Sequence, residues 1–456
     1  MLVMQPAVKA ALGPKNLGLQ WCFRPRHFVF GSDADSRYGC GSLNRKPTMQ
    51  SLAGVVVLLA IGFALSSDRK AVNWRTIGIA FGVQCLVGFI ALFSSWGGEL
   101  LKAAANVTGN LLGYSRAGID FMFGQLANFD GPIGFVFAVN VLPVVVFFSA
   151  FIAVLYHLGV MMWIVRAIGG ALRRMLGTSH AESMSAAANI FVGQAEAPLV
   201  VKPFIPAMTR SELFAIMVGG MATIAGSVMA GYVALGIPLE YLLTAGFMAA
   251  PAGLMMAKLL EPELGQPVRP DSGDESFTPK YVNVIDAAAS GALDGLRMAA
   301  AIAAMLIAFV ALIALVNGLL QWGGGFVGAP TVTLEMLLGF ALQPLAWLLG
   351  VPWDEAATAG SLIGQKFILN EFVAYLAYSE IEETLSPLSQ GIVIFALCGF
   401  ANLSSIAILL GGLGAIAPSR RDDISALGIR ALIAATLANL MSAAVAGFFL
   451  SLSGGI

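Results

Sequence analysis

Charge is what this sequence has least of. Asp, Glu, Lys and Arg make up 11% of its 456 residues, against roughly 25% in an ordinary soluble domain. With 58% hydrophobic residues and a mean hydropathy of +0.83, the chain reads as a polytopic membrane protein and not as a soluble enzyme on an anchor. The few charges nearly cancel, at −1 overall, so there is no basic surface of the kind that grips nucleic acid. Cysteine is scarce: Cys22, Cys40, Cys85 and Cys398 form neither a CxxC pair nor a metal-ligand spacing. His27, His157 and His180 are the only histidines, which argues against a metal centre.

Residues 1–48 lack a helical apolar period and a signal-peptide core. They read as a non-native or disordered extension, with a regulatory tail as the alternative, ahead of a membrane domain over 49–456. Apolar runs long enough to cross about 30 Å lie near 50–66, 76–96, 132–158, 213–235, 239–258, 298–320, 389–413 and 427–452. Two further apolar regions, 180–207 and 353–380, are interrupted by polar residues, Gly or Pro and predict re-entrant helical hairpins. Amphipathic stretches at 161–177 and 335–350 predict interfacial helices. The expected fold is therefore all-α, with eight transmembrane helices, two re-entrant hairpins and interfacial helices. Its parts are a scaffold-like 49–176, a first hairpin with spans four and five over 177–260, span six with interfacial helices over 281–350, and a second hairpin with spans seven and eight over 351–456.

Lys and Arg set the orientation. Fifteen fall on the side that receives the connection between spans one and two, and three (Lys102, Arg116 and Lys366) on the other. Both ends of the core are thus expected outside, in the periplasm of a Gram-negative host. The seven basic residues of 1–48 oppose that orientation.

The order of elements repeats. Leu176 and Gly177 close the first amphipathic stretch, and Leu349 and Gly350 the second. Glu196 follows Leu176 by 20 residues, Glu371 follows Leu349 by 22, and each precedes a span marked by a polar residue, Thr223 or Asn402. Inverted repeats with paired broken segments point to a midplane binding site in a secondary transporter.

The stretch NIFVGQAEAPLV, 189–200, puts Asn189, Gln194 and Glu196 in apolar surroundings. Polar groups at that depth are retained when they are paired or face a cavity. Gly193 permits a non-helical backbone, and Pro198 is tolerated at a helix start. Gln194, Ala195 and Glu196 should therefore form a tip beside helix N-terminal amides. In ILNEFVAYL, Asn370 and Glu371 form a second polar point. A structural Lys366–Glu371 pair is the alternative to a ligand-facing Glu371. FALCGFANLSSI clusters Gly399, Asn402, Ser404 and Ser405. A break there would expose carbonyls and hydroxyls, the alternative being Ser back-bonding to the preceding turn. The set suits a neutral, flat, polyhydroxylated ligand. Glu371 can accept a vicinal diol, and Gln194 can both donate to and accept from a base edge.

At these residues the chain resembles the concentrative nucleoside transporter family, through GQAEAPL, NEFVAY and GFANLSSI, and the resemblance runs from about Met49 to the C-terminus. It implies a homotrimeric, elevator-type inner-membrane transporter of bacterial type that binds lipid but no nucleic acid, and that has neither catalytic residues nor an organic cofactor. It implies that Gln194, Ala195 and Glu196 face the base, that Glu371, Asn402 and Ser405 hold the ribose, and that Val228 and Phe400 line the pocket. It also implies a sodium site of Asn189, Val192, Thr223 and Ile224, built from side-chain and carbonyl oxygens that suit a hard cation. The expected activity is sodium-coupled symport of uridine, cytidine or adenosine into the cytoplasm. The alternative is proton coupling through Glu196 or Glu371. Ala195 departs from the family's Thr or Ser, which predicts weaker discrimination between bases.

Overall fold

The computed structural model describes residues 46–128, 133–267, 281–326 and 328–453. Most of the expected extension 1–48 lies outside them; its last residues open the first helix. Among the described residues no strand occurs.

The helices are α1 Lys46–Ala64, α2 Trp74–Leu92, α3 Ser95–Gly113, α4 Ser115–Phe123, α5 Leu142–His157, α6 Val160–Leu176, α7 His180–Ala188, α8 Arg210–Ala222, α9 Gly226–Ala234, α10 Leu239–Leu260, α11 Val284–Gly325, α12 Leu334–Leu348, α13 Trp353–Ile368, α14 Glu371–Ile381, α15 Pro387–Leu397, α16 Leu403–Ile416 and α17 Arg421–Leu452. Six segments are long and apolar enough to cross a bilayer: 74–92, 137–157, 210–234, 239–260, 284–325 and 418–452. The first expected span is α1, whose apolar part is Thr48–Ala64, and the seventh is the pair α15–α16; both are too short to pass as single long helices. Helices cover all eight expected stretches, six of them in segments long and apolar enough to cross a bilayer.

Three expectations need correction. The fourth span is not continuous: α8 stops at Ala222 and α9 restarts at Gly226, with Thr223 and Ala225 in extended conformation. The Thr223 hydroxyl bonds back to Gly219 O at 2.9 Å, and no proline announces the break. The connection between spans two and three contains α3 and α4, whose polar residues leave no long apolar run to announce them. The second arm of the first hairpin is a 3₁₀ run, Ala197–Ala207, irregular at Val201. Pro198, Pro203 and Pro206 remove three amide donors there, so an α-helix cannot close.

Contacts at the helix ends define two faces. Ser67 N–H donates to Leu260 O at 2.8 Å, Arg430 reaches Leu65 O and Leu260 O, Arg420 reaches Met208 O at 2.7 Å, and the Thr76 hydroxyl reaches Leu176 O. These bonds gather the base of the first hairpin with the ends of α1, α6 and α10. At the opposite end Thr48 and Ser451 share a hydroxyl bond of 2.8 Å, and the Ser51 hydroxyl bonds Leu349 O, beside the turn into α13. The two hairpins therefore enter from opposite faces, as an inverted repeat requires. α12 and α13 meet at a 115° bend. They pack closely through small residues: a Cβ on Gly339 would lie 2.6 Å from Ala357 O.

Burial separates an inner body from a peripheral layer. The 210–234 segment is 94% buried and α10 89%, whereas the 137–157 segment is 39% and α11 only 17% buried. α5 and α11 pack against each other where Gly291 and Gly295 meet Ser149 and Val146; a Cβ at either glycine would come within 3 Å of its neighbours. α2 instead joins α17, with Gln84 Nε2 donating to Ser442 Oγ at 3.0 Å. α1 packs on α17 and α2 on α10, while residues of α4, α5 and α11 line one apolar cavity at the periphery.

Candidate functional site

The broken segments converge. Asn370 caps α14 by accepting from Val373 N–H at 2.9 Å, and Asn402 caps α16 by accepting from Ser405 N–H at 3.0 Å. Each helix thus starts inside the protein with its amides aimed inward. Glu371 is the first residue of α14, where the helix dipole favours a carboxylate. It is 4% exposed. Tyr232 Oη donates to Glu371 Oε1 at 3.0 Å, and Asn402 Nδ2 donates to Oε2 at 2.9 Å. The Lys366 ammonium bonds Ala396 O and Asn439 Oδ1, each at 2.8 Å, and not Glu371. The Ser405 hydroxyl reaches Phe400 O and Asn402 Oδ1, and Ser404 Oγ donates to Asn402 Oδ1 at 2.6 Å.

The first hairpin supplies the facing wall. Gln194 packs on Gly220, where a Cβ would lie 2.8 Å from its own, and Gln194 Oε1 is buried without a hydrogen-bond partner. The Glu196 carboxylate folds over Gly193, whose absent Cβ would sit 2.6 Å from Oε2. A cavity of about 520 Å³ brings together Gln194, Ala195, Glu196, Val228, Glu371, Phe400, Asn402 and Ser405. Its size falls within the roughly 300–1,000 Å³ of small-molecule sites. The eight residues expected to contact a ligand therefore line one space. α11 closes it with Met298, Ile302 and Leu306, and adds the charged pair Asp294 and Arg297. A second chamber of about 400 Å³ continues past Glu196 along Asp294, Tyr156 and Tyr281. Tyr281 lies against His157 at the end of α5.

The four residues expected at the ion lie beside this cavity. Asn189 is fully buried, and neither of its side-chain heteroatoms has a hydrogen-bond partner. It faces α8 at Gly219, 3.3 Å from where a Cβ would be, and Gly219 O also receives the Thr223 hydroxyl. Gly226 N–H donates to Phe191 O at 3.0 Å, which ties the neighbourhood of Val192 to that of Ile224. A buried amide oxygen left open among neutral oxygens fits a monovalent hard cation. Among the described residues no cluster of His, Cys, Asp and Glu could hold a metal.

Sequence reasoning missed Tyr232, which orients Glu371, and the α11 pair, Asp294 and Arg297. Tyr232 is, with Ser227, one of two hydroxyls in an apolar half-helix, a signal that was there to read. Asp294 and Arg297 sit near the start of a 42-residue helix, where charges pass for an ordinary interfacial turn.

Known proteins match along nearly the whole membrane domain. Models described as the Na+-dependent nucleoside transporter N-terminus, nucleoside recognition (gate), and the Na+-dependent nucleoside transporter C-terminus match residues 53–126, 138–239 and 241–447. The nucleoside permease NupC of Helicobacter pylori is 46% identical over 412 residues, which cover 88% of this chain and 98% of that one. A transporter of Haemophilus influenzae is 53% identical over 414 residues, 89% of this chain and 98% of that one. CNTnw in an inward-facing substrate-bound state superposes with a TM-score of 0.87 at 52% identity, covering 90% of this chain and 99% of that one. A CNTnw variant in an outward-facing state gives 0.86. These relatives are transporters and permeases, not enzymes. The chain belongs to the Na+-dependent nucleoside transporter family, and it has the all-helical, hairpin-bearing fold of an elevator-type concentrative nucleoside transporter.

Proposed function

We propose that the protein carries uridine-, cytidine- and adenosine-type nucleosides into the cytoplasm in symport with sodium. One observation carries the substrate reading. Glu371 is buried at the cavity wall with each oxygen held by one protein donor. A carboxylate has about four acceptor sites, so two remain for the paired hydroxyls of a ribose. Gln194 and Glu196 stand opposite, where a base edge needs a donor and acceptors. Arg297, the only cation on the cavity wall among the described residues, is paired with Asp294 at 3.0 Å. That disfavours a phosphorylated ligand.

Sodium is favoured over protons by the unpartnered Asn189 oxygen, since a proton carrier needs no such group. The family description and the neutral oxygen donors support the same ion. The runner-up remains a proton carried by Glu196 or Glu371. The second chamber runs from Glu196 toward Tyr281, on the face that holds most of the chain's basic residues. By the positive-inside rule this is the cytoplasmic face, with both core termini outside. Movement of the inner body past α5 and α11 would alternate the access of the site. The exposed apolar face of α11, with Ile307, Val310, Leu315 and Leu319, would lie against lipid and two further copies in a homotrimer, each copy transporting on its own.

Uptake of labelled uridine and adenosine into proteoliposomes tests the reading. Accumulation should follow an inward sodium gradient and not an inward proton gradient. Accumulation on the proton gradient alone would transfer the coupling to a carboxylate.

A further inference from the structure

Two helices end at the middle of the membrane domain, and one pair of side chains holds both ends. Helix termination leaves up to four carbonyls unpaired, and in lipid each unpaired group is expensive. α8 ends at Ala222 and α15 at Leu397. Asn439 of α17 donates from Nδ2 to Ala222 O at 2.6 Å and to Cys398 O at 3.0 Å. Its Oδ1 accepts from the Lys366 ammonium at 2.8 Å, which also donates to Ala396 O. Lys366 is 3% and Asn439 1% exposed. The negative end of α15 faces the buried cation, an arrangement the helix dipole favours.

The two loops that follow these ends are also bonded to each other: Phe400 N–H donates to Thr223 O at 3.1 Å. Gly399 makes this approach feasible, with φ +153° and no room for a side chain. A Cβ there would lie 2.4 Å from Asn439 Oδ1 and 2.6 Å from Ala222 O. One loop carries Thr223 and Ile224, beside Asn189. The other carries Phe400 and Asn402, beside Glu371. Lys366 stands five residues before Glu371 on the arm of the second hairpin.

Resting on the sodium–nucleoside reading above, we infer that Lys366 and Asn439 are positioning residues that couple the ion loop at 223–225 to the ribose loop at 398–402. Neither lines the nucleoside cavity. An ion drawn to Asn189 and Thr223 shifts the end of α8. Ala222 O, Asn439 and Cys398 O carry that shift to the residues that orient Asn402, and hence Glu371. An intramembrane lysine placed only to satisfy one carbonyl would need no second partner on another helix. Here the amide of Asn439 uses its acceptor and both donors to join three segments.

Uridine affinity of purified protein, measured in sodium and in choline at equal ionic strength, gives a coupling factor, which for linked sites is typically about 5- to 150-fold. In Asn439→Leu, and in Lys366→Met, that factor should fall to about twofold or less, with choline affinity kept within about threefold. Lys366→Arg should restore part of it. Asn402→Ala, a direct contact, should instead weaken binding in both media. A wild-type factor of one would defeat the sodium reading itself. A normal wild-type factor that survives in both variants would defeat only the present inference. Hydrogen exchange on the wild type gives a second reading that needs no variant. Sodium alone, without nucleoside, should slow exchange across 396–405 as well as around 189–225. Protection confined to 189–225 would contradict the coupling path.

Discussion

Replacing Glu371 by Gln perturbs the sugar site with almost no change of volume. In the wild type Tyr232 and Asn402 occupy one acceptor site on each carboxylate oxygen, at 3.0 and 2.9 Å. The two open sites can each take a ribose hydroxyl. A hydrogen bond to a charged group contributes about 1.5–3 kcal/mol net, or about ten- to a hundredfold in affinity per hydroxyl. The amide has a single oxygen, which the Asn402 Nδ2 donor claims, while its nitrogen turns to the Tyr232 hydroxyl, which can accept, so at least one ribose bond is lost and the other weakened. Uridine KM should rise by about a hundredfold in Glu371→Gln. The informative quantity is the difference between substrates. A 2′,3′-dideoxynucleoside lacks both hydroxyls, so its already weak competition against labelled uridine should change by less than about threefold. If the substitution weakens the nucleoside and its dideoxy analogue equally, Glu371 acts on the protein and not on the sugar, and the assignment of the cavity fails.

Other outcomes follow from single contacts. Ala195→Thr restores a hydroxyl at the cavity wall and should shift the uridine-to-adenosine uptake ratio toward uridine; an unchanged ratio would show that residue 195 does not read the base. Tyr232→Phe removes one of the two donors to Glu371 and should raise nucleoside KM by about tenfold with little change in sodium dependence, whereas a shift confined to sodium would relocate its role. Glu182 is 1% exposed, caps α7 together with Ser179, and pairs with Lys258. Glu182→Gln leaves the Lys258 ammonium with only Glu263 at 3.3 Å and the Ser211 hydroxyl at 2.9 Å and should lower stability by about 1–3 kcal/mol, read as a drop in melting temperature in detergent. Gly193→Ala places a Cβ 2.6 Å from Glu196 Oε2 and should impair base selectivity much as Glu196→Ala does, while uptake unchanged from wild type would show that the carboxylate has room to move.

Both hairpins were legible because each interrupts an apolar run with a local signal. Gly193 and Pro198 flank one tip, and Asn370 opens the next helix at the other. The residues that line the cavity were legible for the same reason, since a Glu or Asn in apolar surroundings stands out. The break after Ala222 was not, because nothing in MATIAGSVM forbids a helix; it is held open by Asn439, more than two hundred residues away. Lys366 was ambiguous for a related reason. Sequence proximity suggested Glu371, but its partners are the end of α15 and a residue on α17. The packing of α1 and α2 on α10 and α17 was hidden too, since a hydropathy run says that a helix spans and not which neighbour it meets. Bonds such as Gln84 to Ser442 settle that only in three dimensions.

In the proposed function Asn189 belongs to an ion site that drives nucleoside accumulation without forming the path itself. The direct test is Asn189→Ala in proteoliposomes, followed in two modes with the same preparation. Equilibrium exchange of labelled for unlabelled uridine should persist, because the sugar and base contacts are intact. Net accumulation on an inward sodium gradient should disappear. Sodium-driven accumulation at the wild-type level in Asn189→Ala would contradict the account.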